Sequence, residues 1–112
     1  MDIKSSAFSR LGSDFKGSTI LGNGIDQEVL RRAGIERADA FVAATQGDNR
    51  NIMASQIAKH VFGVKRVVTR VYDPLRSDTF AALGLQAISP TIIGANSFYE
   101  ELTGESAPKL PV

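Results

Sequence analysis

The 112-residue sequence has no cysteine, which excludes a disulfide scaffold and any zinc site built on thiolates. It has one histidine, His60, so no histidine pair can complete a metal site. Neither sign of charge dominates. Lys and Arg number 13 against 12 Asp and Glu, a net charge of +1. That balance gives no overall electrostatic case for nucleic acid or an anionic membrane. Basic and aromatic residues are not interleaved as single-stranded nucleic acid would require. No apolar run approaches the roughly 20 residues of a spanning helix. Met1–Arg10 has no apolar stretch of the kind a signal peptide carries, so none is expected. A reducing, cytoplasmic compartment fits. Internal repeats are absent. What remains is ordinary globular material: 43% hydrophobic and 22% charged residues, enough for one domain with a modest core and incompatible with global disorder.

Short apolar runs alternate with helical patterns. Thr19–Leu21, Ala40–Ala44, Arg66–Tyr72 and, more weakly, Leu85–Ile88 read as strands. Their lack of polar alternation suggests burial on both faces, as in parallel sheets. Asp26 can cap a helix through Ala33, with Gly34 as a left-handed stop and Ile35 folding back onto Leu30. A second helix is predicted from Asp48–Asn51 to Phe62, with Met53, Ile57 and Val61 stacked at four-residue spacing and Ala54, Ala58 and Phe62 beside them. Asp73 and Pro74 read as N-cap and first residue of a third helix, stopping at Gly84. A fourth begins near Thr91 and covers roughly Gly94–Leu102. Residues 104–112 read as a flexible tail. Strands separated by helical patterns of this length give βαβ units, hence an α/β fold with a parallel sheet and flanking helices.

Several constellations could carry chemistry. Gly22-Asn23-Gly24 follows a strand and precedes a helix, but G-x-G-x-x-Q lacks the third glycine of the dinucleotide fingerprint. Asp26 at the helix start would also repel a pyrophosphate. The alternatives are a tight turn needing positive φ and a strand-end turn that touches a nucleotide from the side. Ala43-Ala44-Thr45 ends an apolar strand, where ligands bind in open α/β sheets. Thr45 offers a hydroxyl there. Asp48 and Asn51 read either as part of that site or as helix caps. Arg70 lies among apolar strand residues and should have an anionic partner. That partner is a phosphate or an internal carboxylate such as Asp48 or Asp73. His60 reads as a surface residue near a helix C-terminus. Glu100 and Glu101 diverge around a helix and form no acid–base pair.

Taken in order, these motifs resemble a family. They are the turn at Gly22–Gly24, E-V-L-x-x-A-G-I at Glu28–Ile35, A-D-A-x-V-A-x-T at Ala38–Thr45 and D-x-x-N at Asp48–Asn51. R-V-x-x-R-x-x-D-P at Arg66–Pro74 and L-G-x-x-x-I-S-P at Leu83–Pro90 follow. The set resembles the nucleotide-binding domain of Trk-type potassium-uptake regulatory proteins, also called the KTN or RCK N-terminal domain. The resemblance implies a Rossmann-like domain over residues 1–103 that binds NAD(H), ATP or ADP, dimerises, and gates a membrane-embedded potassium transporter subunit. It implies no enzyme activity, no nucleic-acid partner, and a cytoplasmic location at the inner face of the membrane. By the same resemblance Asp2 ends the second strand and holds the adenosine ribose. Asn23 stands where the family usually has Asp, near the adenine. Gly22, Gly24, Thr45 and Asp48 belong to strand-end contacts, and Arg70 turns its charge to the site or the dimer partner.

Such domains open with a strand, a G-x-G-x-x-G turn and a helix, and this sequence begins at what would be the end of strand two. It is therefore expected to be N-terminally truncated and to bind nucleotide weakly or not at all alone. In the strand order 3-2-1-4-5-6, Thr19–Leu21 and Ala40–Ala44 would flank a gap about 14 Å across at sheet spacing. Two other readings follow. One is a nucleotide-free interaction module that pairs with an intact copy, with itself or with a strand-completing partner chain. The other is part of an NAD-dependent oxidoreductase, for which Tyr72 and Tyr99 lack an evident proton-transfer partner.

Overall fold

The computed structural model describes residues 1–107; the tail expected over residues 104–112 falls, from residue 108 onward, outside the described residues. Three strands form a parallel sheet in the order β1 (Ala40–Ala43), β2 (Arg66–Arg70), β3 (Gln86–Ile88). Val42 pairs with Val68, and Thr69 with Ala87. Helices separate the strands, so the βαβ pattern read from the spacing of apolar runs is the architecture of the chain.

Helix α1 (Gln27–Ala33) starts where the cap residue indicates: the Asp26 carboxylate accepts from the Glu28 and Val29 amides. It stops at Gly34 with φ 95°, a conformation L-residues resist. Leu30 and Ile35 then meet in the core with Val67, Val71, Phe80 and Leu85. Helix α2 (Asp48–Gln56) passes into a π-helical turn at Ile57–Val61, where the Phe62 amide donates to the Ile57 carbonyl. Its buried face is Asn51, Ala54, Ser55 and Ala58, with Ile57 and Phe62 partly buried against the core, so the expected face holds except at two positions. Met53 and Val61 are 51% and 54% exposed. Small side chains let α2 lie close on β1 and β2, tightly enough for Thr69 Oγ1 to donate to Ser55 Oγ at 2.7 Å, and Met53 and Val61 are left outside.

The third helix is divided. A 3-10 turn occupies Pro74–Arg76, and α3 spans Ser77–Ala82. Asp73 still acts as a cap, its Oδ1 accepting from the Leu75 amide. Helix α4 (Pro90–Thr103) begins earlier than read, because Ser89 caps it through the Ile92 amide and Pro90 takes the first turn. A 3-10 helix at Ser5–Leu11 carries no apolar period, which is why no sequence pattern announces it.

Two strand expectations are corrected. Thr19–Leu21 is not a strand: Leu21 makes one isolated parallel bridge, to Asp2. The expected burial on both sheet faces fails at β1. Phe41 and Ala43 turn toward α2, while Val42 points away and is 65% exposed.

Candidate functional site

The parallel strands run so that the ends of β1 and β2 and the turn before α1 reach the same region, the place where open α/β sheets receive ligands. A cavity of about 710 Å³ lies there. One wall is Met1–Lys4 with Gly22–Gly24, and the other is Ala40–Gln46. Of the residues singled out from the sequence, Asp2, Gly22, Asn23, Gly24, Thr45 and Arg70 all line it, and Asp48 does not.

The Asp2–Leu21 bridge builds the first wall. The Asp2 amide donates to the Ile20 carbonyl and its carbonyl accepts from the Gly22 amide. Residues 1–3 thereby occupy part of the gap expected between Thr19–Leu21 and Ala40–Ala44. Asp2 Oδ1 accepts from the Lys4 amide at 2.9 Å. Asn23 Oδ1 accepts from the Ile25 amide, a local turn that orders the approach to α1. Neither Gly22 nor Gly24 has positive φ, so the tight-turn explanation of these glycines is overturned. A Cβ on Gly22 would lie 2.5 Å from Val29 Cγ1, so Gly22 is required by the close pass of α1. Gly24 faces open space.

The second wall is fixed by a buried side chain. Asn51 Oδ1 accepts from the Thr45 amide at 2.9 Å and from Thr45 Oγ1 at 2.6 Å. Its Nδ2 donates to the carbonyls of Thr45 and Arg70. The ends of β1 and β2 are thus joined through one amide. Asp48, buried beside it, accepts from the Tyr72 amide at 2.7 Å and the Asp73 amide at 3.1 Å. Neither residue caps α2, whose N-cap is Gly47 without a side-chain cap bond. Their three-residue spacing on a helix places both on one face. The D-x-x-N pattern carried that signal, but not the partners.

Arg70 has neither internal carboxylate considered for it. Asp48 is engaged by backbone amides, and Asp73 pairs with Arg76 at 3.8 Å. Arg70 Nη2 instead donates to the carbonyls of Ala44 and Thr45, at 2.6 and 3.0 Å. Its guanidinium carbon lies 4.7 Å from the Tyr72 ring centroid, a stacking partner the sequence did not disclose. Tyr99 sits on α4, partly exposed. His60 is exposed, as expected. Among the described residues no cluster of His, Cys, Asp and Glu could hold a metal ion, and no helix is long and apolar enough to cross a membrane.

Known proteins resemble this chain in sequence and in fold. The TrkA-N domain family matches residues 1–90. The Trk system potassium uptake protein TrkA of Streptomyces coelicolor is 40% identical over 110 residues, covering 98% of this chain and 49% of that protein. A TrkA homolog of Archaeoglobus fulgidus is 44% identical over 69 residues, 62% of this chain and 15% of the homolog. The chain therefore spans half or less of the length of these relatives. Among solved structures, the GsuK RCK domain superposes with a TM-score of 0.72 at 26% identity, over 82% of this chain and 20% of that one. GsuK bound to ADP gives the same TM-score and identity, over 82% of this chain and 25% of that one. The NAD(P)-binding domain of an exopolyphosphatase-related protein from Archaeoglobus fulgidus matches in fold alone, with a TM-score of 0.71 at 16% identity over 93% of this chain and 77% of that one. With most of its length matched and its Rossmann-like sheet in common with RCK domains, the chain belongs to the TrkA-N domain family.

Proposed function

We propose that this chain is the adenosine-binding part of a regulatory domain that controls a membrane potassium transporter in response to NAD(H), ATP or ADP, without itself catalysing a reaction. The observation that carries this reading is that Asp2, Asn23, Thr45 and Arg70, distant in sequence, line one cavity beside the ends of β1 and β2. The family membership and the ADP-bound GsuK neighbour support it. In this reading Asp2 holds ribose hydroxyls, Asn23 lies near the adenine, and Arg70 faces an anionic group. Asp48 serves by fixing the main chain after Arg70. The 112 residues contain no G-x-G-x-x-G turn to cradle a pyrophosphate, so affinity for the chain alone is low.

Isothermal titration calorimetry with ADP, ATP and NAD tests this. Saturable binding with Kd on the order of 1 mM is expected, equivalent to about −4 kcal/mol, and Asp2→Ala weakens it. Absence of any saturable binding, or indifference to Asp2→Ala, contradicts the site. Low-micromolar NAD binding contradicts the weak-binding statement.

The edge of β1 favours a second role, acceptance of a strand from a second copy or a partner chain. β1 is an edge strand of the sheet, wholly apolar over Ala40–Ala43, without the charge or proline that usually protects an edge. Concentration-dependent association in sedimentation equilibrium is expected. A monomer with cooperative unfolding at all concentrations contradicts it.

A further inference from the structure

One turn of α2 holds the main chain from Arg70 onward. The Arg70 carbonyl accepts from Asn51 Nδ2 at 3.0 Å, and the Tyr72 amide, two residues on, donates to Asp48 Oδ1 at 2.7 Å. Asn51 is fully buried and its amide meets four groups at good distances, so it leaves the main chain little freedom. The Thr45 carbonyl that Asn51 fixes is the same oxygen that accepts from Arg70 Nη2. The Tyr72 main chain that Asp48 fixes carries the ring against which Arg70 stacks. Both α2 residues therefore control the guanidinium through an intermediary.

Among the described residues the charge so placed has no counter-ion. Among the described residues the ion pairs are Arg31–Glu28 and Arg76–Asp73. Arg70 Nε is buried without a hydrogen-bond partner among the described residues. A planar guanidinium with a stacked face and two fixed acceptors keeps its fork in one orientation. Carbonyl dipoles stabilise it but do not neutralise it, and an anion would complete it with charge-assisted hydrogen bonds.

We propose that Asp48 and Asn51 of α2, together with the Tyr72 ring, form a positioning cradle that presents Arg70 as a fixed cation to an anionic group in the cavity. The identification of that group as the phosphate of a nucleotide rests on the function proposed above; the cradle itself does not. Asp48, Asn51 and Tyr72 are positioning residues, since each acts through Arg70.

The test uses the full chain labelled with nitrogen-15. Exchange of the Arg70 Nε–H is followed by NMR without ligand, and calorimetry compares ADP with adenosine. Tyr72→Phe keeps the stacking ring, and Tyr72→Leu removes it at a position exposed enough to preserve folding. Slow Nε–H exchange is expected in the native chain and in Tyr72→Phe. In Tyr72→Leu exchange accelerates roughly tenfold, and the preference for ADP over adenosine falls by a similar factor while adenosine affinity holds. Asn51→Asp, which removes both amide donors, is expected to act the same way; if it fails to fold, the Tyr72 pair decides. Unchanged exchange in Tyr72→Leu, or equal loss in Tyr72→Phe, overturns the cradle. A native chain that binds neither ADP nor adenosine overturns the nucleotide reading, while the ligand-free exchange still decides the cradle.

Discussion

Gly22 and Asn51 illustrate how far single residues could be read. Gly22 stood out as a glycine that matters, but the reason lies in a contact the sequence does not name, the 2.5 Å approach a Cβ would make to Val29 Cγ1. Gly22→Ala is expected to destabilise the chain by about 1–3 kcal/mol, measured by urea unfolding. Val29→Ala in the same background should recover part of that loss, because the two changes share one contact. Asn51 was visible as a polar residue in a motif, and only the fold reveals that it bridges Thr45 to Arg70. Asn51→Leu leaves buried backbone groups unpaired at the ends of both strands. A loss of about 3 kcal/mol or more is expected in the same measurement. Arg70 and Tyr72 are two residues apart, which on the strand read over Arg66–Tyr72 puts them on one face; that the guanidinium stacks on the ring at 4.7 Å is visible only in the fold.

At the scale of elements, two strands and the ends of α1 are legible in the sequence, and the helix faces only in part. The runs read at Ala40–Ala44 and Arg66–Tyr72 contain the strands Ala40–Ala43 and Arg66–Arg70, and the Asp26 and Gly34 signals fall where read, because each rests on local chemistry. The buried face of α2 is legible in part. Ala54 and Ala58 are inside as expected, whereas packing against β1 and β2 leaves Met53 and Val61 outside and takes in the polar Asn51 and Ser55. Similarly, Thr19–Leu21 has strand-like composition, but only Asp2 offers it a neighbour. The open edge of β1 supplies a testable consequence. Val42 is largely exposed, so Val42→Lys should change stability by no more than about 0.5 kcal/mol. The same substitution should reduce any self-association in sedimentation velocity, because a charge at an edge opposes strand pairing.

At the scale of the whole molecule, the radius of gyration of 16.0 Å exceeds the roughly 13 Å of a compact domain of about 100 residues. Helix α4 contributes to that: none of its residues is buried, and Phe98 and Leu102 are 75% and 85% exposed. Its amides are expected to exchange with solvent well before those of β2 and α2, as hydrogen-exchange mass spectrometry would register. The family and the parallel α/β architecture were legible because many weak motifs in order are jointly specific. The resemblance places Asp2 at the end of strand two, but that its pairing shrinks to one bridge with Leu21 is visible only in the fold. In the proposed function, the cavity beside the ends of β1 and β2 is the place where an adenine nucleotide binds. The most direct measurement is an amide chemical-shift titration of the full chain with ADP. The expected result is saturable shifts concentrated at Asp2–Lys4, Gly22–Gly24 and Ala44–Gln46; no saturable shifts, or shifts centred on α4, would contradict it.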